Sequence, residues 1–359
     1  MERNTNTLYI LRFIASIMVV WFHFATTTFF TTNGGEAVNF FFFISGFVMI
    51  ITNSKYFKSE TTYFSKSDFY IKRFARIYPI YFLALLALAI FHYFIRSIDT
   101  PTVKYRLPFE VLGIERWFYG GSFNSPDWTI SVEFFFYLIF PLGIVYMRKH
   151  AGKFKTLAWV YYVFAYTSSI GIYFLYNMHL PTVPKLIISG LNSNPIFLIS
   201  IFFLGMLCGK TFIDNKISFF KSNANNLICV LLCIPLIFFV KFYLPSYLLK
   251  GGLLAPVYFV LVMAITSFKK KDTAVLNNRF VIFLGDISYG IYILQAPVMY
   301  YYTQYIAKIS GWPGVLFFTS ALILISSCLY YVYEVPCKKY IISHFRRKRE
   351  LKEAEMAIL

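Results

Sequence analysis

Apolar runs of 18 or more residues recur along the whole of this 359-residue chain, and they decide what it can fold into. A run of that length crosses about 30 Å of hydrocarbon as an α-helix. In lipid the backbone must satisfy its own hydrogen bonds, and unbroken runs of this length do so as helices. Only 14% of the residues are charged and the mean hydropathy is +0.61, against about 25% charged in soluble domains. A soluble globular enzyme, a disordered chain and a nucleic-acid-binding domain are excluded.

A window of about 19 residues predicts ten helices, over 8–31, 37–53, 77–95, 129–147, 157–177, 195–212, 226–244, 251–268, 280–302 and 314–335. The expected fold is all-α, a polytopic membrane helix bundle of about ten transmembrane helices. One set of helix ends carries 25 Lys and Arg and the other eight, with Arg12 inside the first span. The positive-inside rule places the richer ends, and both termini, in the cytoplasm. The net charge of +18 is thereby read as topology and lipid contact, with no nucleic-acid partner. The expected organisation is one transmembrane domain over 1–340 and a basic cytoplasmic tail over 341–359.

Residues 97–128 form the longest external connection, which Pro101, Pro108, Gly120, Gly121 and Pro126 mark as an irregular, folded-back loop. The apolar run from Leu8 to Phe30 is too long for a cleavable signal, and no small-residue cleavage site follows it. About 25 residues follow the last span, so no appended soluble domain is expected. Cys208, Cys229, Cys233, Cys328 and Cys337 are scattered through apolar sequence, which suits packing and neither a disulfide framework nor a metal site.

Charge inside a span costs at least about 2.5–3.5 kcal/mol and needs a partner or a function. Arg12, His23 and Glu133 meet that test. Arg12 and His23 are eleven residues apart, within about 20° of one helix face and about 16 Å apart along the axis. Glu133 enters with the fourth helix from the outer side and is expected at the depth of His23. The predicted arrangement is a continuous polar passage with a cation at its inner end and an imidazole–carboxylate pair at its outer end. A carboxylate on one ring nitrogen would leave the other as a base. A packing reading stands beside it, with Glu133 neutralising His23 or Arg12.

Arg73 and Arg76 lie three apart in IKRFARIYP, on one face if that segment is helical. Their guanidinium groups match phosphate oxygens. Spacing alone favours plain positive-inside anchoring; what raises the phosphate reading is their position on the same side as Arg12, where a cytosolic phosphorylated donor would enter. Gly34, Gly35, Ser45 and Gly46 in GGEAVNFFFFISGFVMI suit close helix packing or a substrate entrance. Trp117, Tyr119 and Trp128 suit either stacking on a sugar or anchoring at the membrane interface.

In order along the chain, LRFIASIMVVWFHF, AVNFFFFISGF, RFAR with IYPIY, WTISVEFFFYLIFPL and LGDISYGIYILQAP resemble acyltransferase family 3, a family of integral membrane acyltransferases. The resemblance implies transfer of an acyl group, most often acetyl, from cytosolic acetyl-CoA or another acyl-CoA to a hydroxyl of a surface carbohydrate. Such an acceptor is O-antigen, capsule or a lipid-linked sugar, and the enzyme is multi-pass in a bacterial cytoplasmic (inner) membrane. His23 is then the catalytic histidine and Arg12 its motif partner. Arg73 and Arg76 are the pair associated with CoA, and Glu133 is the fourth-helix acid. Ala37, Asn39 and Gln295 depart from the family pattern, Gln295 standing where His is frequent, and their roles stay open.

The expected chemistry has His23 as general base for direct transfer, with Glu133 orienting its ring; an acyl-histidine intermediate is the other route. Trp117 and Trp128 are the expected acceptor contacts. The rival class is a transporter or flippase of a lipid-linked sugar or polysaccharide precursor, whose path the same buried charges would line.

Overall fold

The computed structural model describes residues 5–24, 34–58, 61–95, 101–118, 122–177, 194–215, 217–244, 248–249, 251–269 and 273–358. The main helices are α1 (Thr7–Phe24), α2 (Gly34–Thr52), α3 (Lys66–Ile90), α4 (Trp128–Lys149), α5 (Ala151–Asn177), α6 (Pro195–Asp214), α7 (Asn223–Tyr243), α8 (Ala255–Ser267), α9 (Arg279–Tyr305), α10 (Gly311–Leu329) and α11 (Val335–Ile358). Among the described residues nine helical stretches are long and apolar enough to cross a membrane, and α8 is a shorter apolar helix. The expected all-α membrane bundle is what the chain forms.

Three of the expected boundaries move. The third helix begins at Lys66 rather than 77, capped by Ser65, whose hydroxyl accepts from the Asp68 amide at 3.2 Å. Hydropathy overlooks this extension because it is charged. Arg73 and Arg76 therefore lie within the helix itself. The eighth span shrinks to thirteen residues, yet it still joins the two ends of the bundle. Tyr258 near its start donates to Glu36 at the head of α2, and the Ile265 carbonyl near its end accepts from Thr7 at the start of α1. The last span does not stop near 335. A π-helical turn, Tyr330–Glu334, passes α10 directly into α11, so residues beyond 340 continue as helix and pack on α3.

The core centres on α1, α2, α6 and α9. Phe22 near the end of α1 covers Gly34 at the start of α2, so the two helices run antiparallel. α2 and α6 approach to backbone contact: a Cβ on Gly46 would strike the Phe202 carbonyl, and one on Gly205 the Phe43 carbonyl. This is small-residue packing, suited to lipid, where no hydrophobic force drives helices together. Gly205→Ala is expected to cost about 1–3 kcal/mol, read as a lower unfolding temperature in detergent. Gly171→Ala, whose added methyl meets open space, is expected to cost nothing.

By contrast α7 turns Leu227, Ile228, Leu231, Leu232 and Phe239 outward. Exposed apolar side chains in that number are at home only against hydrocarbon.

Candidate functional site

An interior cavity of about 110 Å³ collects ionisable side chains from four helices: Arg12 of α1, Arg73 and Arg76 of α3, Glu133 of α4, with Tyr137 of α4 and Tyr289 of α9. Three guanidinium groups face one carboxylate, so the chamber has an excess of positive charge in a setting with little water to screen it. Glu133 Oε2 accepts from the Tyr137 hydroxyl at 2.9 Å. Helical phase explains why the α3 pair converges: residues three apart differ by 60° around the axis.

The structure gives the two α3 arginines different surroundings. Arg76 is tied down, Nη1 lying 2.9 Å from Glu334 Oε1 and Nη2 3.2 Å from the Asp286 carbonyl. The Glu334 side chain is 2% exposed and the Asp286 carboxylate is 3.8 Å from the same guanidinium. Among the described residues Arg73 holds only a long 3.4 Å contact to Thr52 Oγ1, and its guanidinium lies 5.6 and 5.8 Å from the ring centroids of Phe69 and Tyr137. Glu334 and Asp286 are ionisable residues in or beside apolar runs, so the criterion that singled out Arg12, His23 and Glu133 applies to them as well.

His23 lies elsewhere, exposed at the outer end of α1. Its Nδ1 is 2.9 Å from the Val19 carbonyl and 2.9 Å from Gln295 Oε1. Gln295 Nε2 donates to the Tyr292 carbonyl at 2.7 Å, which turns the amide oxygen toward the imidazole. Both neighbours of Nδ1 are acceptors, so Nδ1 carries the proton and, in the neutral ring, Nε2 carries the lone pair. Gln295, which the sequence left without a role, is the side chain that sets the tautomer.

The expected His23–Glu133 pair is therefore not formed in this structure, because α4 begins deeper than a simple hairpin would place it. The 3₁₀ turn Ser125–Asp127 that precedes it is buried in the bundle, where Asn124 Nδ2 donates to the Ile293 carbonyl at 3.0 Å and Tyr292 donates to the Pro126 carbonyl at 3.3 Å. That insertion carries Glu133 inward to the arginines. The continuous passage expected from the cation cluster to His23 is also interrupted. On α9 the outermost lining residue is Tyr292, one turn short of Gln295, and its ring meets Phe41 edge-on at 5.8 Å.

Residues 101–118 supply two further short helices, Pro101–Leu112 and Glu115–Phe118. The described part of the segment is folded back as expected but helical rather than irregular, with Tyr78 and Tyr81 of α3 donating to the Val111 and Glu110 carbonyls. Burial pushes the Glu110 carboxyl up to about 7 and Glu115 up to about 8, the latter helped by Glu110. Arg116 lies over Trp128 at 5.2 Å, and burial lowers its pKa. Trp117 leans on Phe135 at 5.1 Å. Neither tryptophan lines the arginine cavity. Tyr119 is outside the described residues. Among the described residues no group of three His, Cys, Asp or Glu is placed to hold a metal ion.

Comparison with known proteins adds an independent line. The family model Acyl_transf_3, an acyltransferase domain, matches residues 6–332. Acyltransferase MdmB of Streptomyces mycarofaciens is 32% identical over 91 residues, 24% of this chain and 24% of that protein. The match thus spans about a quarter of that relative's length. No solved structure matches the chain. The family match takes in the arginine cavity, His23 and Gln295 together, and the chain belongs to this acyltransferase family as a multi-pass membrane member.

Proposed function

We propose that the protein moves an acyl group, in the simplest case acetyl, from acyl-CoA on the basic side of the membrane to a hydroxyl of a surface carbohydrate on the other. The observation that carries this reading is the layout of α1. Arg12 stands in a cation-rich chamber, and eleven residues further out His23 presents an imidazole whose Nε2 lone pair is free of Nδ1's partners. The chamber suits the charged and polar groups of a phosphorylated thioester donor, and the imidazole suits a hydroxyl acceptor.

In this mechanism His23 Nε2 takes the proton of the acceptor hydroxyl as its oxygen attacks the thioester carbonyl. The tetrahedral intermediate collapses by breaking the C–S bond, and the departing thiolate takes the proton from the imidazolium. Arg12 and Arg73 hold the donor, and Glu133 moderates their charge. For the donor arm to reach His23, the Tyr292 and Phe41 rings must turn aside. Closed, they keep water from the thioester.

Mass spectrometry of surface polysaccharides from cells with and without this chain tests the reading. The expected result is an acyl increment, 42 Da for acetyl, that depends on His23. Loss of a whole polysaccharide, with its acyl content unchanged, would instead favour a transporter.

A further inference from the structure

A second cavity lies at the basic end of the molecule, outside the arginine chamber. It is a groove of about 540 Å³ between the first two turns of α3 and the middle of α11. Its walls carry Lys72 on α3 and Arg346, Lys348 and Arg349 on α11, against a single acid, Asp68. Arg349 Nη1 is 2.6 Å from Asp68 Oδ1, which neutralises that acid and joins the two walls. Arg346 Nε is 3.0 Å from Glu350 in an exposed pair, an interaction of little energetic weight. Lys72 and Lys348 have no hydrogen bond or ion pair among the described residues and are exposed. Ile71 and Phe345 add an apolar surface beside the charges. Closer to the membrane, Arg76–Glu334 pins the root of α11 to α3, so the groove is held by ion pairs at both ends.

We infer that this groove binds the phosphorylated nucleoside end of the acyl donor, which makes α11 part of the donor site; the inference rests on the acyl-CoA reading above. Size separates the two cavities. Pockets for nucleotide-sized ligands run to about 300–1,000 Å³; the groove falls in that range and the arginine chamber, at about 110 Å³, does not. Position joins them. Lys72 and Arg73 are consecutive on α3, about 100° apart around its axis, so one helix presents a cation to each space. A donor seated by its nucleoside phosphates in the groove would pass its arm by Arg73 toward Arg12. The chemistry required is recognition of phosphate oxygens by ammonium and guanidinium groups, with the base resting on Phe345. An anionic lipid headgroup presents phosphate too, but it lacks a base to cover that ring.

Calorimetry on the full chain in phosphatidylcholine nanodiscs, with coenzyme A and 3′-dephospho-coenzyme A as ligands, tests this. The wild type is expected to bind coenzyme A at least about tenfold more tightly, the scale of a lost charge-assisted hydrogen bond. In the Lys72→Ala/Lys348→Ala variant that preference is expected to vanish, with the dephospho form bound much as by the wild type. Both positions are exposed, and an unchanged unfolding temperature would confirm an intact fold. Lys72→Gln alone is the second variant, expected to reduce the preference. Equal wild-type affinity for the two ligands, or a preference the variants retain, overturns the groove assignment while leaving the donor reading intact. Absence of any coenzyme A binding by the wild type overturns the donor reading itself. A last arm adds phosphatidylglycerol to the discs and weighs retained lipid by native mass spectrometry. Phosphatidylglycerol held by the wild type and lost by the variants, with the coenzyme A preference unchanged, would assign the groove to lipid and overturn the proposal.

Discussion

His23→Ala is expected to lower the rate of acyl transfer on the order of 10²–10⁴-fold, the usual contribution of a general base, with donor affinity nearly unchanged. The separation follows from place: the imidazole stands outside the chamber where the arginines collect. Gln295 gives the finer test. Gln295→Leu removes the 2.9 Å contact to Nδ1, a bond of about 1 kcal/mol and so roughly fivefold in rate. It leaves the Val19 carbonyl as the remaining acceptor for Nδ1–H, so the tautomer is held less firmly. Gln295→Glu is expected to retain the tautomer and to shift the acidic arm of the rate profile to higher pH, because a carboxylate stabilises imidazolium and the base must be deprotonated to act. A purely structural glutamine would leave that profile in place. Glu133→Gln is expected to change the donor KM more than the pH profile, since Glu133 bonds Tyr137 beside the arginines. Steady-state assays of thiol release across pH resolve these outcomes.

Arg76→Ala is expected to destabilise the protein by about 3–5 kcal/mol, the cost of leaving a buried charge without its partner. Glu334 is the reason: its side chain is 2% exposed and its partner is Arg76 at 2.9 Å. Arg73→Ala removes a guanidinium held by one long hydrogen bond and two ring faces. Its expected effect is a raised donor KM with an unfolding temperature close to wild type. The double substitution Arg76→Ala/Glu334→Gln is expected to recover much of the stability, whereas only Arg73→Ala is expected to weaken donor binding without loss of stability. Unfolding temperatures and donor titrations on the four proteins separate the two effects. If Arg76→Ala alone is as stable as the wild type, the Glu334 pair is not what anchors α11.

The difference between these neighbours was invisible in RFAR. Three residues apart on a helix, the arginines share a face and a composition, and nothing local distinguishes them. The distinction arises from Glu334, 258 positions away, on a π-helical turn that points its carboxylate at one of the two. Extra residues in a helical turn of this kind frequently mark functional sites. The groove beside Lys72 was equally hidden, because residues beyond 340 read as a solvated basic tail until α11 packed them on α3.

What the sequence determined by itself is the environment, the helical class, most of the helix positions and the short set of charges that a bilayer would exclude. Those properties depend on residue type and on spacing within one segment, where hydropathy and a 100° turn per residue suffice. Which charges meet was decided only by the tertiary structure. Axial depth selects partners as strictly as helical face does, and depth on α4 is set by a buried turn that Asn124 fastens to the Ile293 carbonyl, 169 residues away. That turn, which Tyr292 also holds through the Pro126 carbonyl, draws Glu133 in to the arginines and leaves His23 to Gln295.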